Sequence, residues 1–310
     1  MKPLVSNPID LRGILAGAST GIFWGLPFLA PQVLTGFTAL EIAFGRFFFF
    51  GLVSLGFSGA VLKIWRSLDL SGKTRLILLS ASGFWLYSIL LFWSIQRTDG
   101  IVSSLILGLL PITIPLFGGG RTARGRRVLP GLSLILSGLL VLVWVPWSRQ
   151  GGTLSSHDPY GAVGLLVCLG SWTWYAIANG NFLQKHPGIS GKDLSSAMGV
   201  ISLVFMFPLL FLFSSPAEML LRPGAGAYLL IAAGLGFGSS WFANWLWNYC
   251  SGRVPHSISG TLLVFETVFG LLYSFIFEKR WPHVHETVAI ALCLIGVVWS
   301  VGAQLARDPD

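Results

Sequence analysis

Ten long apolar runs, separated by short polar connections, restrict this chain more than anything else in its sequence. They fall at about 12–33, 38–62, 74–96, 100–118, 130–147, 160–183, 193–214, 225–249, 256–277 and 286–305. Each is near the roughly 20 residues that a helix needs to cross about 30 Å of hydrocarbon. Only 10% of the 310 residues are charged and 54% are hydrophobic, whereas a soluble domain carries about 25% charged residues. The sequence therefore predicts an all-α integral membrane protein of ten transmembrane helices. The first run reads as a span and not as a cleaved leader, because it is too long for a signal core and nine more follow it.

Lysine and arginine set the expected orientation. With both termini cytoplasmic, only Arg97, Arg149, Arg222, Lys279 and Arg280 fall on the outer side. Arg46 lies inside a span, and all the other basic residues lie inside the cell. The net charge of +8 fits the same picture. The basic run GRTARGRR at 120–127 reads as an inner loop facing an anionic leaflet. A nucleic-acid site is not expected there, since no aromatic residue interleaves the charges. Thr38 and Glu41 have capping-box spacing at the start of the second run. Pro130 and Pro255 stand where a first helical turn accepts proline.

The two halves echo each other. Phe23-Trp24-Gly25 answers Ser171-Trp172-Thr173, and Gly138 falls on Gly296 when 132–144 is laid on 289–301. Residues 90–116 likewise echo 244–271. Five spans per copy is an odd number, so the second copy is turned over in the membrane. The expectation is two inverted five-helix repeats, 1–150 and 151–310, the architecture of alternating-access transporters with a midplane site.

Charged and polar residues at mid-span mark candidate positions, because they are costly there without partners or water. Trp241, Asn244, Trp245 and Asn248 recur at helical spacing on one face. Trp172, Tyr175 and Asn179 do the same in the sixth span, and Ser259, Glu266 and Tyr273 in the ninth. These faces are expected to wall a shared polar cavity, suited to a solute with one apolar and one hydrogen-bonding side. Core packing is the competing explanation for the aromatics. Glu266 is either a protonatable or amine-contacting site, or a structural group paired with Arg46. Pro27, Pro31, Pro111 and Pro115 remove backbone donors inside helices, making a hinge or a fixed kink. Gly234, Gly236 and Gly238 read as close helix packing and not as a nucleotide loop, having no strand before them.

Cys168, Cys250 and Cys293 sit in apolar runs without ligand spacing and are given no chemistry. His283, His285 and Glu286 lack further ligands for a zinc ion. No cofactor is expected. No nucleophile set or phosphate loop suggests an enzyme, so uphill movement would draw on an ion or solute gradient.

The residues also resemble a known family. Trp24-Gly25, Phe265-Glu266-Thr267-Val268 and Glu278, with the repeat, resemble the drug/metabolite transporter superfamily, EamA type. FGRFFFFGLVSL (44–55), SLILGLLPITIPLFG (104–118), SWTWYAIANGNFLQKHP (171–187), SWFANWLWN (240–248) and LLVFETVFGLLYSF (262–275) are similar to aromatic amino-acid exporters of the YddG type. The resemblance implies a bacterial inner-membrane exporter of amino acids and related metabolites with both ends cytoplasmic; a monomer is the separate expectation. It places on the cavity wall Trp24, Phe28, Tyr87, Ser104, Pro111, Trp172, Tyr175, Asn179, Trp241, Asn244, Trp245, Asn248 and Glu266. The family's Glu-Pro pair stands here as Glu266-Thr267, and its first-repeat counterpart is Leu110-Pro111 without an acid. A drug or lipophilic-cation efflux protein of the same fold is the alternative reading. An intramembrane enzyme or receptor scaffold is a third, for which the sequence offers no constellation.

Overall fold

The computed structural model describes residues 10–98, 103, 106–118, 128–149 and 159–305, with the side chains of 143, 145–149 and 305 left aside. Ser104 and the basic run 120–127 lie outside the described residues. Every regular element among those described is helical. In chain order these are α1 (Leu11–Trp24), α2 (Ala30–Val33), α3 (Ala39–Leu55), α4 (Ser58–Ser67), α5 (Leu70–Gly83) and α6 (Trp85–Ile95). Next come α7 (Leu110–Gly118), α8 (Leu129–Arg149), α9 (Pro159–Lys185), α10 (Gly191–Phe213), α11 (Pro216–Leu221) and α12 (Ala225–Gly234). The last are α13 (Ala243–Ser251), α14 (His256–Leu262), α15 (Val264–Phe277) and α16 (Val284–Leu305). Among the described residues, seven continuous or gently broken helices are long and apolar enough to cross a membrane, or eight if α3 and α4 count as one bent span.

That bend corrects the second predicted run. Its helix stops at Leu55, and α4 leaves at 88°. Gly56 caps α3, and the residues beyond it change character. Lys63 and Arg66 make α4 amphipathic where a buried span would be apolar throughout.

Several helices break near mid-length. Pro27 and Pro31 split the first span at a 3-10 turn, Leu26–Phe28, between α1 and α2. Phe84, with φ −129° and ψ −94°, separates α5 from α6. Leu263 separates α14 from α15, and a π-helical stretch, Leu235–Phe242, joins α12 to α13. Wide π turns leave carbonyls off the regular ladder. Two of these are taken by other helices: the Ser239 carbonyl accepts from Trp24 Nε1 at 2.9 Å, and that of Trp241 from Ser195 Oγ at 2.9 Å.

Helices that correspond in the two sequence halves pack against each other head to tail. A methyl built on Gly131 of α8 would lie 2.6 Å from the Gly296 carbonyl of α16, and one on Gly138 would lie 2.7 Å from that of Ala289. Rising numbers on α8 thus meet falling numbers on α16. Glu41 meets Ser214 at one end of the α3–α10 contact, while Gly51 meets Leu203 further along it. On α7 and α14, Ile114 and Pro115 face Gly260, and Gly118 faces His256. Small residues let these backbones touch where apolar burial gives no net drive between helices. Gly131→Leu should therefore force α8 off α16 and cost about 1–3 kcal/mol. A lowered thermal midpoint of the detergent-purified protein checks this.

The outward surface is apolar, with Phe117, Leu212, Phe213 and Leu230 all more than two-thirds exposed. A face of that kind matches acyl chains as solvent.

Candidate functional site

The breaks converge on a cavity of about 460 Å³. Phe28 and Gln32 come from the broken first span, Ile95 and Thr98 from the end of α6 and beyond, and Ser103 and Leu107 from before α7. The opposite wall is one face of α15: Glu266, Thr267, Gly270, Leu271 and Ser274. These positions fall at the helical spacings of three, four and seven residues. The α15–α16 connection forms the rim. There Glu286 accepts two hydrogen bonds from Arg280, at 2.7 and 2.8 Å, and a third from the His283 backbone N–H at 2.7 Å. Arg280 also bonds Glu278. These hydrogen bonds hold the Arg280 guanidinium pKa above its ordinary value, the one to Glu286 contributing most.

A second, deeper pocket of about 30 Å³ shares Phe28 and Glu266 with the large cavity. Its other walls include Trp24, Arg46, Phe84, Tyr87 and Trp172. By volume it holds a water or a small polar head group and no more. Gly21 and Gly25 bring α1 onto α15 here, since a methyl on either would strike the backbone at Phe265 or Gly270. Only this close approach sets Trp24 and Phe28 beside Glu266.

Arg46 is buried on α3. Its Nε donates to Ser240 Oγ at 2.7 Å, one terminal nitrogen lies 3.4 Å from Ser88 Oγ, and the guanidinium stands 5.4 Å from the Phe47 ring centre. No ion pair among the described residues joins it to Glu266, though both groups face the same pocket. The two groups share the pocket without a direct bridge between them.

Beyond the deep pocket the helices close. Trp24, Trp172 and Trp247 form a triangle with ring centres 4.9, 5.3 and 5.5 Å apart. Further along, Tyr175 donates to Asn244 Oδ1 at 3.0 Å and Asn179 to Asn248 Oδ1 at 2.8 Å. Asn248 in turn donates to the Gly191 carbonyl at 3.1 Å. His256 Nε2 meets Asn181 Oδ1 at 3.2 Å. The cavity therefore communicates with one end of the bundle, and a plug of indoles and amides fills the other.

The expected wall is only partly a wall in this structure. Trp24, Phe28, Tyr87, Trp172 and Glu266 line one or both cavities. Tyr175, Asn179, Asn244 and Asn248 line neither, their polar atoms being taken up between helices. Trp241 stacks on Phe57 at 5.2 Å and donates to Ser196 Oγ at 3.0 Å, while half-buried Trp245 packs beside it at 5.6 Å. Pro111 is buried within α7, next to the cavity-lining Leu110. In the span that ends with α13, the face that looks inward is Ser240, Asn244, Trp247 and Ser251, spaced four, three and four apart, and of the predicted stripe it keeps Asn244 alone. It supplies the partner of Arg46 and the third indole. Periodicity reveals stripes but not which one turns inward, and Trp247 escaped notice for that reason.

These hydrogen bonds carry a consequence for stability. Asn244→Ala leaves the Tyr175 hydroxyl buried without its partner, expected to cost about 1–3 kcal/mol. Adding Tyr175→Phe should recover most of that loss in the same unfolding measurement.

Comparison with known proteins gives three results. No family model matches the chain. The inner membrane protein YtfF of Escherichia coli (strain K12) is 28% identical over 312 aligned positions, spanning 95% of this chain and 96% of that protein. A crystal structure of another protein aligns with 96% of this chain and 99% of its own, at a TM-score of 0.69 and 18% identity. The last shows the fold alone. Together with the apolar helices, the first relative makes this chain an all-helical protein similar throughout its length to an inner membrane protein.

Proposed function

We propose that this chain is a secondary transporter of the bacterial inner membrane, exporting amino acids and related metabolites by alternating access. The reading gives it ten spans in two oppositely directed five-helix units, with both termini in the cytoplasm. One observation carries it: a cavity of about 460 Å³ runs from one end of the bundle to a mid-span carboxyl group, Glu266, and stops at a packed indole triangle. A channel would be continuous, and a mid-span carboxyl group with no ion-pair partner among the described residues favours a functional role over a structural one. Antiparallel packing of α3 on α10, α7 on α14 and α8 on α16 supports the inverted units, as corresponding helices meet across a twofold axis lying in the membrane. Broken helices beside the cavity fit rocking of one unit on the other.

Counterflow in proteoliposomes tests the proposal. Vesicles loaded with unlabelled amino acids should accumulate labelled phenylalanine or another apolar amino acid transiently, and protein-free vesicles should not. Absence of counterflow for every amino acid, with monodisperse protein, contradicts it.

A further inference from the structure

We infer that Arg46 is the substrate's carboxylate reader, and that with Glu266 it selects a dipolar solute held in one orientation. The inference rests on the transporter reading and adds which end of the solute goes where. Among the described residues that line the deep pocket, Arg46 is the one base and Glu266 the one carboxylic acid. Arg46 is 6% exposed, and its described partners are two serine hydroxyls and an aromatic face, all neutral. A buried guanidinium with neutral partners keeps donors for an anion, and its planar fork suits a carboxylate. Ser240 and Ser88 fix the direction of that fork.

Glu266 belongs to both compartments, so its carboxyl group meets a solute arriving through the large cavity. An ammonium group placed there puts a carboxylate on the same carbon within reach of the deep pocket, whose volume of about 30 Å³ fits such a group and little else. The rest of the solute stays in the larger cavity, against Phe28, Ile95, Leu107 and Leu271. A lipophilic cation satisfies Glu266 alone and leaves Arg46 without its anion. A simple anion has the reverse fault.

Three ligands of one shape separate these cases: phenylalanine, phenethylamine and 3-phenylpropionate. Binding is read by calorimetry on the detergent-purified full chain, and counterflow is read separately. Wild-type protein is expected to bind phenylalanine at least about tenfold more tightly than either singly charged ligand. Arg46→Gln should weaken phenylalanine and phenylpropionate by at least about tenfold and leave phenethylamine unchanged or tighter. Arg46→Lys should restore part of the loss. An equal fall for all three ligands would make Arg46 a structural residue and overturn the inference. So would wild-type protein that binds phenethylamine as well as phenylalanine, or none of the three, a result that stands even if the variants do not fold. The expected binding pattern without counterflow contradicts the transporter reading and keeps the dipolar site. Counterflow indifferent to ligand charge does the opposite.

Discussion

Arg222→Ala is expected to be among the most destabilising single changes in the chain, costing about 3 kcal/mol or more. Glu41 is 1% exposed and sits in the first turn of α3. Its two oxygens accept from the Thr38 backbone at 2.8 Å, Ser214 Oγ at 2.6 Å and both terminal nitrogens of Arg222 at 2.9 and 3.2 Å. Arg222 also donates to the Gly36 carbonyl at 2.7 Å and lies over the Phe37 ring. Removing the guanidinium leaves a buried carboxylate with neutral donors only, which is the costly way to break a buried pair. Removing both charges is far milder. Glu41→Gln with Arg222→Met should regain most of the lost stability, because the amide oxygen can still accept from the Thr38 backbone N–H while the Ser214 hydroxyl turns to accept from the amide nitrogen. Thermal unfolding of the wild type, the single variant and the double variant in one detergent decides it, and equal losses in the single and double variants would show that the unpaired carboxylate is not what destabilises the chain. The cluster ties the start of α3 to the α11–α12 connection, joining the first half of the chain to the second.

Glu266→Gln is the second large effect, and it falls on transport rather than on folding. No hydrogen bond from a described side chain reaches the Glu266 carboxyl group, so the amide replaces it without orphaning a neighbour. Losing a hydrogen-bonded contact to the solute's charge away from bulk water removes about 1.5–3 kcal/mol, or about 10- to 150-fold in counterflow at subsaturating substrate. The thermal midpoint should stay close to that of the wild type. A variant that transports normally would remove Glu266 from the account. One that unfolds would make it a structural residue.

Much of this was legible in the sequence, and the failures have physical causes. Apolar length marked an all-helical chain and seven or eight of the ten expected spans among the described residues, and the Thr38–Glu41 spacing foretold a capping box that the structure forms in both directions. Glu266 stood out because a mid-span acid has few cheap explanations. Pro27 and Pro31 marked the break that carries Phe28. What the sequence left hidden is rotation about helix axes. Trp241 and Asn248 share a stripe with the right chemistry, yet that stripe faces α10 and the 188–191 turn, while Ser240 and Trp247 face the centre. The π turn at Leu235–Phe242 changes the register just where the stripe is read. Gly56 was also missed, since one glycine inside an apolar run does not announce a right-angled turn. Arg222 as partner to Glu41 lies 181 positions away, a pairing that only the fold supplies.

The central claim is a cavity open to one face of the membrane at a time, and site-directed cysteine labelling tests it most directly. The native Cys168, Cys250 and Cys293 are all buried, so background reaction is low. Ser274→Cys lies in the cavity and Ser251→Cys lies on the inward face beyond the indole triangle. With a membrane-impermeant maleimide, Ser274→Cys is expected to react from the face bearing the α15–α16 connection only, and Ser251→Cys to react from the opposite face and only when substrate is cycling. Reaction of both cysteines from both faces would mean a continuous pore, and an inert Ser274→Cys would mean that no water reaches Glu266; either result contradicts the account.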